Sequence, residues 1–124
     1  VNLRETIAAA RLGDAHVNAD GTTTHEFKFS AEDPVFAGHF PGRPILPGVF
    51  QLEITRFAAE VFLKCSLGIR EVRKSKFQRP ILPGEVVRVE LKLSEKDGTI
   101  QALAGFSVGG QAAGETILLL WRSE

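Results

Sequence analysis

Cysteine is almost missing from this 124-residue chain: Cys65 stands alone. No internal disulfide can form, a reducing compartment fits, and no cysteine-based metal cluster can be built. The only histidines, His16, His25 and His39, show no ligand spacing, so no metal is expected. An excess of one charge is also missing, because Lys plus Arg and Asp plus Glu number 15 each. That balance argues against a dedicated nucleic-acid binder, and a near-neutral surface invites self-association. The longest apolar run, Ile117 to Trp121, is far too short to cross a bilayer. No signal peptide is visible, so a cytoplasmic location without a membrane partner is expected. Methionine is absent and the first residue is Val1, which fits a trimmed start. Hydrophobic residues at 44% and charged residues at 24% are ordinary for a soluble protein, and the length suits one domain spanning 1–124.

The pattern along the chain is mixed. Asn2-Leu3-Arg4-Glu5 reads as a capping box, with Leu3, Ile7 and Ala10 at helical spacing and Gly13 as a stop. A first helix is expected over roughly residues 3–12. Asp20-Gly21 is a hairpin signal between residues 15–19 and 22–30. In the second run Thr23, His25, Phe27 and Phe29 share one strand face. Residues 31–48 are loop, dense in proline and glycine, and residues 49–64 form a helix stopped near Gly68. Apolar residues cover more than half of that helix, while Glu53, Arg56, Glu60 and Lys64 form one polar stripe. Beyond it four strands are expected: Val72 to Phe77, a run through Val87 to Leu93, a run through Ile100 to Phe106, and one ending near Trp121. Asp97-Gly98 and Gly109-Gly110 turn the chain between the last three. An antiparallel sheet curled around one long apolar helix is the α+β hot-dog architecture. Such a sheet leaves exposed edges, which pairing through an edge strand would cover.

The segment with most chemistry in it is Gly38-His39-Phe40-Pro41-Gly42-Arg43-Pro44-Ile45-Leu46-Pro47-Gly48-Val49, followed by Glu53. A stiff loop carries an imidazole into the start of an apolar helix, which offers a carboxyl group on its second turn. These are the parts that acid–base chemistry on a carbonyl compound needs. His39 is the natural base, since an unperturbed imidazole titrates near neutral pH, and a positioned base contributes a factor of roughly 10²–10⁴. The amides of Gly48 and Val49, at the helix start, have no intrahelical acceptor and can hold a developing oxyanion.

The run from Phe36 to Val49, with Glu53 fourteen residues after His39, resembles the 3-hydroxyacyl-acyl carrier protein dehydratases of bacterial fatty acid synthesis. Lys76-Phe77, Pro80 and Pro83-Gly84-Glu85 form a second, shorter match. Two features depart from that pattern. No Pro-His-Arg-Tyr-Pro-Phe segment occurs near the N-terminus, and Phe57 stands where the family helix usually carries glutamine. The Gln51-Leu52-Glu53 run after Pro47-Gly48-Val49 is similar to the aryl-polyene branch. The resemblance implies dehydration of 3-hydroxyacyl thioesters to trans-2-enoyl thioesters, in fatty acid or polyene-like synthesis. It implies His39 as base and Glu53 of a second subunit as acid, with the thioester carbonyl on Gly48 and Val49. No cofactor is implied, since the phosphopantetheine arm belongs to the substrate. The implied partners are acyl carrier protein and a second copy in a homodimer, with a trimer of dimers or a heterodimer as larger or mixed forms.

Other residues carry open alternatives. Phe40, Phe50 and Phe57 wall an acyl channel or pack the core. Arg70, Arg73, Lys74, Lys76 and Arg79, offset locally by Glu71, dock an acidic carrier protein or simply solvate an edge strand. Glu53 belongs to a catalytic pair or to a solvated stripe. His25 reads as structural, His16 as exposed and Cys65 as a small core residue. A hot-dog thioesterase and a non-catalytic partner of an active dehydratase are the rival functions.

Overall fold

Period-two alternation and one apolar helix build the molecule, for which a computed structural model describes residues 2–33, 36 and 45–123. The elements are α1 (Leu3–Ala10), β1 (His16–Val17), β2 (Thr23–Lys28), α2 (Val49–Leu63), β3 (Leu67–Phe77), β4 (Val86–Lys96), β5 (Thr99–Val108) and β6 (Gln111–Arg122). The strands form one antiparallel sheet in the order β1-β2-β4-β5-β6-β3. Asp97 and Gly98, both at positive φ, make the tight β4–β5 turn that an Asp-Gly pair favours.

Alternation fixes which face is inside. Val87, Val89 and Leu91 of β4, Ile100, Ala102, Ala104 and Phe106 of β5, and Leu118 and Leu120 of β6 are all buried. They close on Phe50, Ile54, Ala58 and Ala59 of α2, so the sheet wraps the helix in the hot-dog manner.

The element ends depart from expectation for local reasons. Asn2 caps α1 by accepting the Glu5 amide at 3.1 Å, but the helix stops at Ala10, not near residue 12. Arg11 turns extended there and bridges to Phe27, so Gly13 stops nothing. The C-cap of α2 is Lys64, in left-handed conformation, several residues before Gly68. The strand expected from Val72 begins at Leu67 and is drawn out to eleven residues by pairing with β6. β3 lies at one edge of the sheet and carries two register shifts. It exposes Val72 and Phe77, an apolar edge of the kind a second chain covers.

Candidate functional site

The start of α2 faces a cavity of about 530 Å³. Its walls come from two segments: Ile45, Leu46, Pro47, Gly48 and Gln51 at the helix entry, and Phe77 to Ile81 after β3. The Leu46 amide donates to the Ile81 carbonyl at 2.8 Å and ties the two together. The first turn is tight, with Phe50 N–H on the Pro47 carbonyl and Gln51 N–H on the Gly48 carbonyl, each at 3.0 Å. The amides of Gly48 and Val49 have no acceptor among the described residues, as expected at a helix start. Glycine at 48 makes room for the Phe77 ring. A Cβ there would come within 2.9 Å of the Phe77 ring.

Sequence reasoning passed over Gln51. It is only 3% exposed, and its Oε1 is buried with no hydrogen-bond partner among the described residues. An unsatisfied buried group of this kind costs about 1–3 kcal/mol. The signal was present on the helical wheel. Gln51 lies about 200° from Glu53, in the middle of the apolar arc, where a carboxamide is out of place.

Glu53 lies on the opposite face. With Arg4, Ile7, Arg56, Phe57 and Glu60 it borders a cleft of about 10 Å³ between α1 and α2, room for at most one water molecule. Its Oε2 accepts a hydrogen bond from Arg56 at 2.5 Å. The stripe was expected to be solvated or covered by a partner. Instead α1 of the same chain covers part of it, and Glu60 is buried at 5% exposure. Glu60 accepts the Leu67 amide at 2.8 Å and meets Arg4 at 2.7 Å. Within one chain Glu53 therefore does not line the cavity at the helix start.

His39 and Phe40 lie outside the described residues, together with most of the Gly/Pro loop. Phe50 and Phe57 are described and are not among the residues that line this cavity. Phe50 packs edge-on to Phe29 at 6.0 Å and Phe57 edge-on to Phe27 at 6.1 Å. Both rings are spent on the core.

Comparison with known proteins decides the class. A family model for ApeI-like proteins, described as ApeI dehydratase, matches residues 15–114. The chain belongs to the ApeI-like dehydratase family. This makes it an enzyme of the hydro-lyase class. It is 38% identical over 107 residues to the 3-hydroxyacyl-[acyl-carrier-protein] dehydratase FabZ of Chlamydia trachomatis serovar D, an alignment covering 74% of this chain and 68% of that protein. It is 32% identical over 100 residues to FabZ of Hydrogenobaculum sp., covering 73% and 68%. Among solved structures, the dehydratase heterocomplex ApeI:P of Xenorhabdus doucetiae shares the fold at a TM-score of 0.77, with 23% identity over 90% of this chain and 96% of that one. An acyl-CoA hydrolase of Staphylococcus aureus shares the fold at a TM-score of 0.60 and 11% identity, covering 83% and 66%.

The dehydratase's basic cluster is less basic than it reads. Arg73 pairs with Glu71, Lys74 with Glu115 of β6, and Arg79 with Glu85 at 2.9 Å, while Arg70 donates to Thr99. Glu115 comes across the β3–β6 strand pair and Glu85 from the loop before β4, and counting within the cluster misses both. Glu85 is pushed up by burial, but the Arg79 hydrogen bond, the Leu82 amide and the Arg79 charge outweigh that and hold its carboxyl below the ordinary value. Arg79 also stands on the cavity wall.

His25 is structural, as expected. It is 3% exposed, its Nε2 lies 2.9 Å from Thr23 Oγ1, and burial together with the charge of Arg11 pulls its pKa down to about 4. His16 is exposed, and Cys65 is partly buried against the core. Among the described residues no group of His, Cys, Asp or Glu is placed to hold a metal ion, and no helix is long and apolar enough to cross a membrane.

Proposed function

We propose that the dehydratase removes water from 3-hydroxyacyl groups held as thioesters on an acyl carrier protein, giving trans-2-enoyl thioesters. The observation that carries this reading is the identity of 32–38% to FabZ enzymes over about three quarters of the chain. The cavity fits it: mostly apolar walls for an acyl chain, and unpaired amides at Gly48 and Val49 for the thioester oxygen.

In this mechanism His39 takes a proton from C2, and the negative charge that develops on the thioester oxygen is held by the helix-start amides. Glu53 gives a proton to the hydroxyl leaving C3. The C2–H and C3–O bonds break, the C2–C3 double bond forms and water leaves; the step is redox-neutral and needs no redox cofactor, and the phosphopantetheine arm arrives with the carrier. Glu53 faces away from its own chain's cavity, which supports its serving the cavity of a second copy. Phe77 links the two ideas: it ends the exposed edge strand β3 and also lines the cavity, so a copy pairing along β3 would border the site. A homodimer is the smallest working unit in this reading, and a trimer of dimers is compatible with it. The exposed Lys76, Arg70 with its hydrogen bond to Thr99, and the ion-paired Arg73, Lys74 and Arg79 are the weaker docking surface for the acidic carrier.

A second assembly has one observation in its favour. The Xenorhabdus doucetiae neighbour is a heterocomplex, so a heterodimer with a different hot-dog chain is the alternative to a homodimer.

The test sets two assays side by side on the purified chain: absorbance of the conjugated enoyl thioester and release of free thiol. Interconversion of 3-hydroxybutyryl and crotonyl thioesters without thiol release is expected, and its loss by at least about 10²-fold in His39→Ala. Thiol release without enoyl chemistry would replace this reading with a thioesterase.

A further inference from the structure

Resting on that reading, we propose that Gln51 recognises the C3 hydroxyl of the acyl group, and so sets the preference for 3-hydroxyacyl over plain acyl thioesters. Three observations converge on it. Its Oε1 is buried and unpartnered among the described residues, so the folded chain keeps an acceptor with nothing to accept. The side chain lines the same cavity as Gly48 at the helix start. And it is held in place: a Cβ on Gly114 of β6 would come within 2.2 Å of Oε1 and 2.5 Å of Nε2, so the carboxamide lies flat on a strand left bare for it.

The chemistry of the ligand selects the donor. A thioester offers Oε1 only acceptors, its carbonyl oxygen and its sulfur. The acyl portion of a 3-hydroxyacyl group carries a single donor, the hydroxyl on C3. The remaining donors are amide N–H groups on the carrier's arm, beyond the sulfur. Most of the cavity wall is apolar, with Ile45, Leu46, Pro47, Phe77 and Ile81, which suits an acyl chain; its other polar side chains, Gln78 and Arg79, belong to the segment after β3. Gln51 also sits three residues beyond Gly48, about 4.5 Å along the helix axis, comparable with the spacing of a thioester oxygen and a C3 hydroxyl held side by side. A site built around a hydroxyl discriminates against the analogue lacking it, because its buried acceptor is then left unpaired.

The experiment measures three constants for wild type and Gln51→Met: KM for 3-hydroxybutyryl carrier thioester, KM for the crotonyl thioester, and Ki of the saturated butyryl thioester. All three ligands carry the same arm. The expected result is a roughly tenfold rise in KM for the hydroxyacyl substrate alone, with both other constants within about twofold of wild type. A parallel rise in all three would assign Gln51 to the arm, and no change would remove it from recognition; either overturns the proposal. Thermal melting guards the variant's fold. Gln51→Met should melt no lower than wild type, whereas a clearly lower midpoint would make Gln51 a structural residue and sink the idea. Wild-type chain without any dehydratase turnover would instead defeat the function proposed above, and this inference with it.

Discussion

Of the three polar side chains buried on α2, Gln51, Thr55 and Glu60, the first and the last lie nine residues apart and are treated differently. Glu60, near the C-terminal end, accepts the Leu67 amide on Oε2, and its Oε1, without a hydrogen bond, has the Arg4 guanidinium as an ion-pair partner at 2.7 Å. Gln51, near the N-terminal end, has an acceptor with neither a hydrogen bond nor a charged partner among the described residues. One group ties α1, α2 and the start of β3 together. The other is left unmatched beside a cavity. The difference separates a helix end that is finished as structure from one that is complete only with something bound, which is where a functional site is expected.

That contrast can be broken most forcefully at Glu60. Glu60→Ala leaves a buried amide and a guanidinium without their acceptor, and should lower stability by about 2–3 kcal/mol in denaturant unfolding. Turnover per folded molecule should stay near wild type. Loss of turnover at unchanged stability would erase the distinction between the two ends. The converse change is smaller and opposite in sign. Gln51→Met removes an unsatisfied group and should raise stability by about 1 kcal/mol, while hydroxyacyl affinity falls.

Gly48→Ala sharpens the comparison at the working end. The new methyl group meets the Phe77 ring, which can swing because that residue is exposed at the end of β3. The fold should survive within about 1 kcal/mol, and kcat should fall more than stability, as read by parallel melts and enoyl absorbance. The smallest effect is in the pH dependence of folding. Buried His25 has a pKa of about 4 in the folded chain against an ordinary 6.5. Between those values the unfolded chain binds a proton that the folded chain refuses, so stability falls as pH drops from about 6.5 to 4. His25→Gln should flatten that slope in urea titrations across the window, leaving the carboxylate-driven loss at lower pH. An unchanged slope would assign the acid sensitivity to other groups.

Much of the fold was legible because alternation is a strong signal. Val87, Val89 and Leu91, and Ile100, Ala102, Ala104 and Phe106, all face the core as their spacing requires. Element ends were less legible, because tertiary pairing decides them: Arg11 is pulled to Phe27, and β3 is extended by β6. At the site, the motif pointed to the helix start, where Gly48 lines a cavity. It could not show that α1 covers the Glu53 stripe, since that contact joins segments some fifty residues apart. Nor did it mark Gln51, whose importance lies in a missing partner, and partners are visible only once the sheet is packed against the helix.

The most direct trial of the shared site mixes two dead chains. His39→Ala and Glu53→Ala, each inactive alone, are combined under conditions of proven subunit exchange, and crotonyl thioester hydration is followed. The account predicts that activity returns, because one site of each mixed dimer regains both groups. Exchange without any recovery would contradict it.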